Sequence, residues 1–157
     1  MAKRIFLDFD GFWIERSMEK LPKQSGIYMV YEGLYDEETK SVHLEKLIYV
    51  GEADNVGESV NGHEKFEEWK GACGEKSELF FAFAPVEGPN REMAMAAIIY
   101  EQAPPLNDKY KDLFPFEDTE MEIAGKTGLL VSTFEVVSEH VVFNEDEDEG
   151  EQESSAC

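Results

Sequence analysis

Gly26-Ile27-Tyr28-Met29-Val30-Tyr31 and Lys46-Leu47-Ile48-Tyr49-Val50-Gly51 are the two stretches that decide the fold of this 157-residue chain. Both are rich in β-branched and aromatic residues, which suit a pleated, half-buried surface. The polar, acidic residues 32–45 between them read as a long hairpin loop, so the two runs are expected to be neighbouring strands. Downstream, Glu78 to Ala84 with Phe80, Phe81 and Phe83 reads as a third strand ended by Pro85.

Between the second and third strands, residues 54–70 show helical spacing in their second half. His63, Phe66 and Trp69 recur on one side, with Glu64, Glu67 and Glu68 between them. Gly57 and Gly62 weaken the start of that helix. After the third strand, Pro89-Asn90 opens a longer helix, with Asn90 as its expected N-cap and Glu92 in its first turn. The helix is expected to run through Met93, Ala94, Met95, Ile98 and Ile99 to Gln102, where Pro104-Pro105 stop it. Upstream, Arg4 to Asp10 reads as a short strand ended by Gly11. Beyond the helix, Glu120–Ala124 and Leu129–Val137 around Gly125 suggest a C-terminal β-hairpin. From Asn144 onward the composition cannot bury apolar surface and is expected to be disordered.

Charge limits the partners. Asp and Glu number 35 against 14 Lys and Arg, a net charge of −21. Seven of the acids lie in Glu145–Glu153. Without them 28 acids face the 14 bases, and the body still carries −14. DNA binding draws its affinity from cations that neutralise phosphates, so this body disfavours it unless a local basic patch overrides the average field. Lys65, Lys70 and Lys76 are candidates, with Glu64, Glu67, Glu68 and Glu75 among them to cancel their charge. No apolar run is long enough to cross a bilayer. The start of the chain reaches Asp8 and Asp10 too soon for a signal peptide, and Cys73 and Cys157 alone make no disulfide framework. These features point to a reducing cytoplasm.

The order of these elements, with the tripeptides Gly26-Ile27-Tyr28 and Tyr49-Val50-Gly51, resembles the GIY-YIG nuclease superfamily. Two further elements support the resemblance. Asn55-Val56 and His63 stand where the family's first helix has its Asn-Leu and, in some members, an active-site His. Pro104-Pro105-Leu106-Asn107 resembles the Pro-Pro-Leu-Asn element that closes the family's domain. The likeness covers residues 24–110. It implies an α+β fold: a small three-stranded, mainly antiparallel sheet flanked by helices, here with the C-terminal hairpin and acidic tail added. The expected organisation is a single domain over 1–143, with motif core 24–110 and extension 111–143, followed by the tail 144–157. A second, shorter likeness is that of Asp8-Phe9-Asp10-Gly11 to the DxDG signature of haloacid-dehalogenase-type phosphatases. The chain is too short for the strand–helix units of that fold.

The nuclease resemblance implies metal-dependent phosphodiester cleavage. In the family a motif Tyr serves as base, an Arg on the first helix contacts the phosphate, and a Glu on the later helix binds one divalent metal. Tyr28, Tyr49, His63 and Asn107 match family positions. The Arg position, one helical turn before His63, is Ser59, and residues 55–62 contain no Lys or Arg at all. The Glu position is Met95, and Glu52 stands where a cation often follows the second motif. By analogy with arginine fingers, loss of such an Arg costs about 10³–10⁵ in rate. Loss of the metal carboxylate removes the Lewis-acid contribution as well. The expectation is therefore a non-catalytic relative with vestigial Tyr28, Tyr49, His63 and Asn107 and no cofactor. It would bind a protein partner with a basic surface, in one version as an acidic mimic of DNA or inhibitor. The alternative is an active or weakly active endonuclease using Mg²⁺ or Mn²⁺, with Glu92, one turn before Met95, as a displaced metal ligand.

Overall fold

The computed structural model describes residues 3–126 and 133–136. The fold is α+β. Its strands are β1 (Lys3–Ile14), β2 (Gly26–Asp36), β3 (Ser41–Ala53), β4 (Glu78–Pro85), β5 (Thr119–Gly125) and β6 (Thr133–Val136). Its helices are α1 (Val56–Val60), α2 (Phe66–Gly71) and α3 (Gly88–Gln102), with a 3-10 helix at Glu15–Lys20.

The six strands of the described residues form one sheet in the order β3-β2-β4-β1-β5-β6, which corrects the expected three-stranded sheet. The sheet is mixed. β2 pairs antiparallel with β3 and β4, and β4 with β1, but β1 runs parallel to β5, Lys3 opposite Thr119 through Phe9 opposite Gly125. The C-terminal hairpin pairs antiparallel over Thr119–Glu122 and Thr133–Val136, and it joins the main sheet through β1. β1 does not stop at Gly11: it continues to Ile14 and pairs with Phe80–Phe83. The turn of the hairpin and the expected tail from 144 lie outside the described residues.

Alternation of side chains sorts the core into two layers. Ile27, Met29 and Tyr31 of β2 point to one face, with Leu7, Phe9, Ala82, Ala97, Ile98 and Met121. Tyr28 and Val30 point to the other, with Leu21, Val56, Val60, Trp69, Phe81 and Phe83. α3 packs on the first face through Ala94, Ala96 and Ala97, whose small side chains permit a close approach to the strands. The residue at its N-terminal cap position is Glu87, not Asn90, and no side chain caps it; Pro89 lies in the first turn. It ends at Gln102, where Ala103 adopts left-handed backbone at φ 47°. The region 54–70, expected to be helical chiefly in its second half, holds two short helices: α1 stops at Val60, Gly62 turns the chain at φ 87°, and α2 begins only at Phe66. No helix among the described residues is long and apolar enough to cross a membrane.

Candidate functional site around Tyr28, Tyr49 and Asn107

Tyr28 and Gly51 lie directly opposite each other across β2 and β3. A Cβ on Gly51 would sit 2.3 Å from the Tyr28 phenol, so the last glycine of the second tripeptide makes room for the tyrosine of the first. Gly26 is equally constrained: a Cβ there would lie 2.2 Å from the Ala84 carbonyl oxygen.

The buried Tyr28 ring belongs to an aromatic cluster. Its centroid is 6.2 Å from Tyr49, 6.3 Å from His63 and 6.3 Å from Trp69. His63 lies nearest Trp69, at 4.7 Å, and 5.9 Å from Tyr49. The Trp69 indole N–H is buried with no acceptor among the described residues. The Ser59 hydroxyl and the Tyr49 phenol are the polar side chains that act on the Tyr28 phenol. Ser59 and His63 do not share a helix face, because α1 ends between them, yet both reach Tyr28.

Electrostatics here oppose proton abstraction. Burial, then the Tyr49 phenol and Glu52, push the Tyr28 phenol far above its ordinary range, with only the Ser59 hydroxyl opposing. Tyr49 is also raised, chiefly by burial. Burial lowers His63, Lys65 adds to that, and Glu64 opposes it, so its imidazole is neutral at neutral pH. Its Nδ1 accepts the Lys65 amide at 3.0 Å.

Beside this cluster a cleft of about 170 Å³ opens at the edge of β3. Tyr49, Lys65, Met95, Ile99, Asn107 and Tyr110 are among the residues that line it. The segment after α3 closes the edge: the Leu106 amide donates to the Ile48 carbonyl at 3.1 Å. Asn107 then grips Val50 twice, Oδ1 accepting from its amide and Nδ2 donating to its carbonyl, each at 2.9 Å. Both ends of this buried amide are thereby occupied. Met95, half-buried, supplies a thioether wall where the family resemblance implies a carboxylate. Glu92 is exposed and accepts a hydrogen bond from the Tyr110 phenol, which burial first and Glu92 second push up to about 12.

Sequence reasoning missed Arg91. From α3 it bonds Glu52, pairs with Asp54 at 2.7 Å, and donates to Ser25 at 2.9 Å. The cation is therefore enclosed by two carboxylates, and Glu52 is no free charge. No local signal could link Arg91 to acids 37 and 39 positions earlier in the chain. Lys65 is similarly tied to Asp108 at 3.4 Å. The expected Tyr28, Tyr49, His63 and Ser59 thus form one cluster, and Tyr49, Met95 and Asn107 share the adjoining cleft. Comparison with protein-family models, curated proteins and solved structures finds no match to this chain.

Proposed function

We propose that this protein is a degenerate GIY-YIG-type protein that has lost nuclease chemistry and acts in the cytoplasm by binding a protein partner with a basic surface. The family core we assign is the antiparallel trio β3-β2-β4, to which β1, β5 and β6 add a second half. The cleft at the β3 edge carries the reading. There Met95 replaces the implied metal carboxylate with a thioether, while the Asn107 amide is spent on Val50. Ser59 gives Tyr28 a hydroxyl instead of a cation, and that hydroxyl alone leaves the phenol far above its ordinary range and unsuited as a base. Arg91, bound by Glu52 and Asp54, is not available to a phosphate. The net charge of −21 favours rapid encounter with a basic protein, with carboxylates in the place of phosphates in the DNA-mimic version.

Nicking of supercoiled plasmid with Mg²⁺ or Mn²⁺ tests this. The expected result is no cleavage. Cleavage that disappears in Glu92→Ala would overturn the proposal and make Glu92 the displaced metal ligand.

A further inference from the structure

The helices cover the sheet unevenly. α3 and the segment after it cover one face. On the other face the 3-10 helix, α1 and α2 lie over β2, β3 and β4. Among the described residues nothing covers that face over the first half of β1 and its parallel neighbour β5. Along β1, Ile5, Leu7 and Phe9 point inward while Arg4, Phe6, Asp8 and Asp10 are exposed. Phe6 breaks the polar pattern with 58% of its surface open. It adjoins a hollow of about 380 Å³ whose walls include Arg4, Glu120 and Glu122.

The charges around this ring are specific. Arg4 pairs with Glu120 at 2.9 Å. Glu122 sits directly beside Phe6 in the β1–β5 register, and Asp8 follows on the same side of β1. Both carboxylates are exposed and have no cationic partner among the described residues. An open aromatic face attracts a cation through its quadrupole, and adjacent carboxylates strengthen that attraction. The residue that satisfies both is Arg or Lys, whose aliphatic stem lies on the ring while its head reaches the acids.

We propose that this open face of β1 and β5 docks an Arg/Lys-rich segment of a partner protein, one cationic side chain lying over Phe6 and its neighbours meeting Glu122 and Asp8. The inference rests on the partner-binding function above and names its surface. Charge selects this occupant over the others. A second copy would bring another −21, and residues 145–153 of the same chain bring seven acids to an already acidic face.

The test is titration of an oligo-arginine peptide into the isotopically labelled full-length protein, followed by amide chemical shifts. Acids at 145–153 also attract such a peptide, so location decides, not binding alone. Shifts are expected over residues 3–10 and 119–125. Phe6→Ser and Glu122→Gln should each weaken that site about tenfold, as loss of a cation–π or charge-assisted contact implies. Both side chains are exposed, so both variants should fold, and circular dichroism checks this. Shifts confined to other regions, or unchanged affinity in both variants, would overturn this surface and leave the partner-binding function standing. Absence of any binding would overturn both. Self-association lost in Phe6→Ser, or nuclear Overhauser contacts from residues 137–143 to the Phe6 ring, would replace the basic partner with a second copy or the chain's own segment.

Discussion

Tyr28 and Gly51 are mutually dependent, since the phenol occupies the volume a side chain at 51 would need. Tyr28 is 1% exposed and has nowhere to move, so Gly51→Ala should destabilise the protein by about 1–3 kcal/mol, the usual cost of overpacking. Urea denaturation measures this; an unchanged midpoint would show that the ring yields. Asn107→Ala leaves the Val50 amide and carbonyl without partners at a buried edge, with an expected loss of about 1–3 kcal/mol for an unmade hydrogen bond. Asn107→Asp should rescue less than isosterism suggests, because a carboxylate cannot donate to the Val50 carbonyl. His63 sets a pH dependence. Its folded pKa lies below the ordinary 6.5, so the unfolded chain binds the proton more readily. Its contribution is fully present above about 6.5 and is lost as pH falls through that value toward the folded pKa. Glu32, lowered by Ser77 and Gly74, acts only near and below its ordinary 4.5. A His63→Gln variant should therefore lose less melting temperature than the wild type between pH 7 and pH 5.5. Equal losses would remove His63 as the cause.

At the scale of elements, α3 and α1 place Met95 and Ser59 where two substitutions bear on the proposed ancestry. Met95 is half-buried on a cleft wall, so Met95→Glu keeps access to water and avoids the full cost of burying a carboxylate. The Ser59 side chain acts on the Tyr28 phenol, so Ser59→Arg brings a guanidinium towards it. The double variant is expected to fold and to bind Mn²⁺ in calorimetry where the wild type does not. A folded variant with no gain would sink the placement of Met95 at the family's carboxylate position. Legibility also differed by element. β4, the first half of β2, the second half of β3 and the end of α3 were readable because β-branched runs and the Pro104-Pro105 stop are local signals. Residues 32–45, expected as a long loop, mostly extend β2 and β3 to the pair Asp36 and Ser41 and leave only 37–40 as the turn. The parallel pairing of β1 with β5 joins residues more than a hundred positions apart and has no local signature, so a three-stranded sheet was expected. Gly11 suggested a strand end, yet β1 continues because Phe80–Phe83 pair with its second half. The Tyr28–Tyr49–His63 grouping was visible in the motifs. The Arg91 clamp and the stacking of Trp69 on His63 were not, since both depend on tertiary placement.

For the whole molecule, one quantity governs what can approach it: 35 acids against 14 bases. Basic side chains lie close to the cleft, for Lys65 and Lys109 both line it. Lys65 is tied to Asp108, and Lys109 lies over the Tyr110 ring at 5.7 Å. Against them stand Glu64, Glu68 and Glu92, all exposed. At about 150 mM salt the screening length is about 8 Å, so a phosphate at the cleft senses these neighbours, not a remote average, and their balance is not positive. Few counterions are then released on contact with a duplex, and counterion release is what drives non-specific binding. Fluorescence anisotropy with linear and four-way-junction DNA at about 150 mM salt should therefore show no binding in the micromolar range or tighter. The same self-repulsion opposes the compact state, so raising NaCl from low to physiological levels should raise the melting temperature instead of lowering it. Micromolar binding that weakens steeply with salt and is lost in Lys65→Ala with Lys109→Ala would mean that the two lysines outweigh the surrounding acids. The cleft would then be a nucleic-acid site, and the basic protein partner would no longer follow from charge.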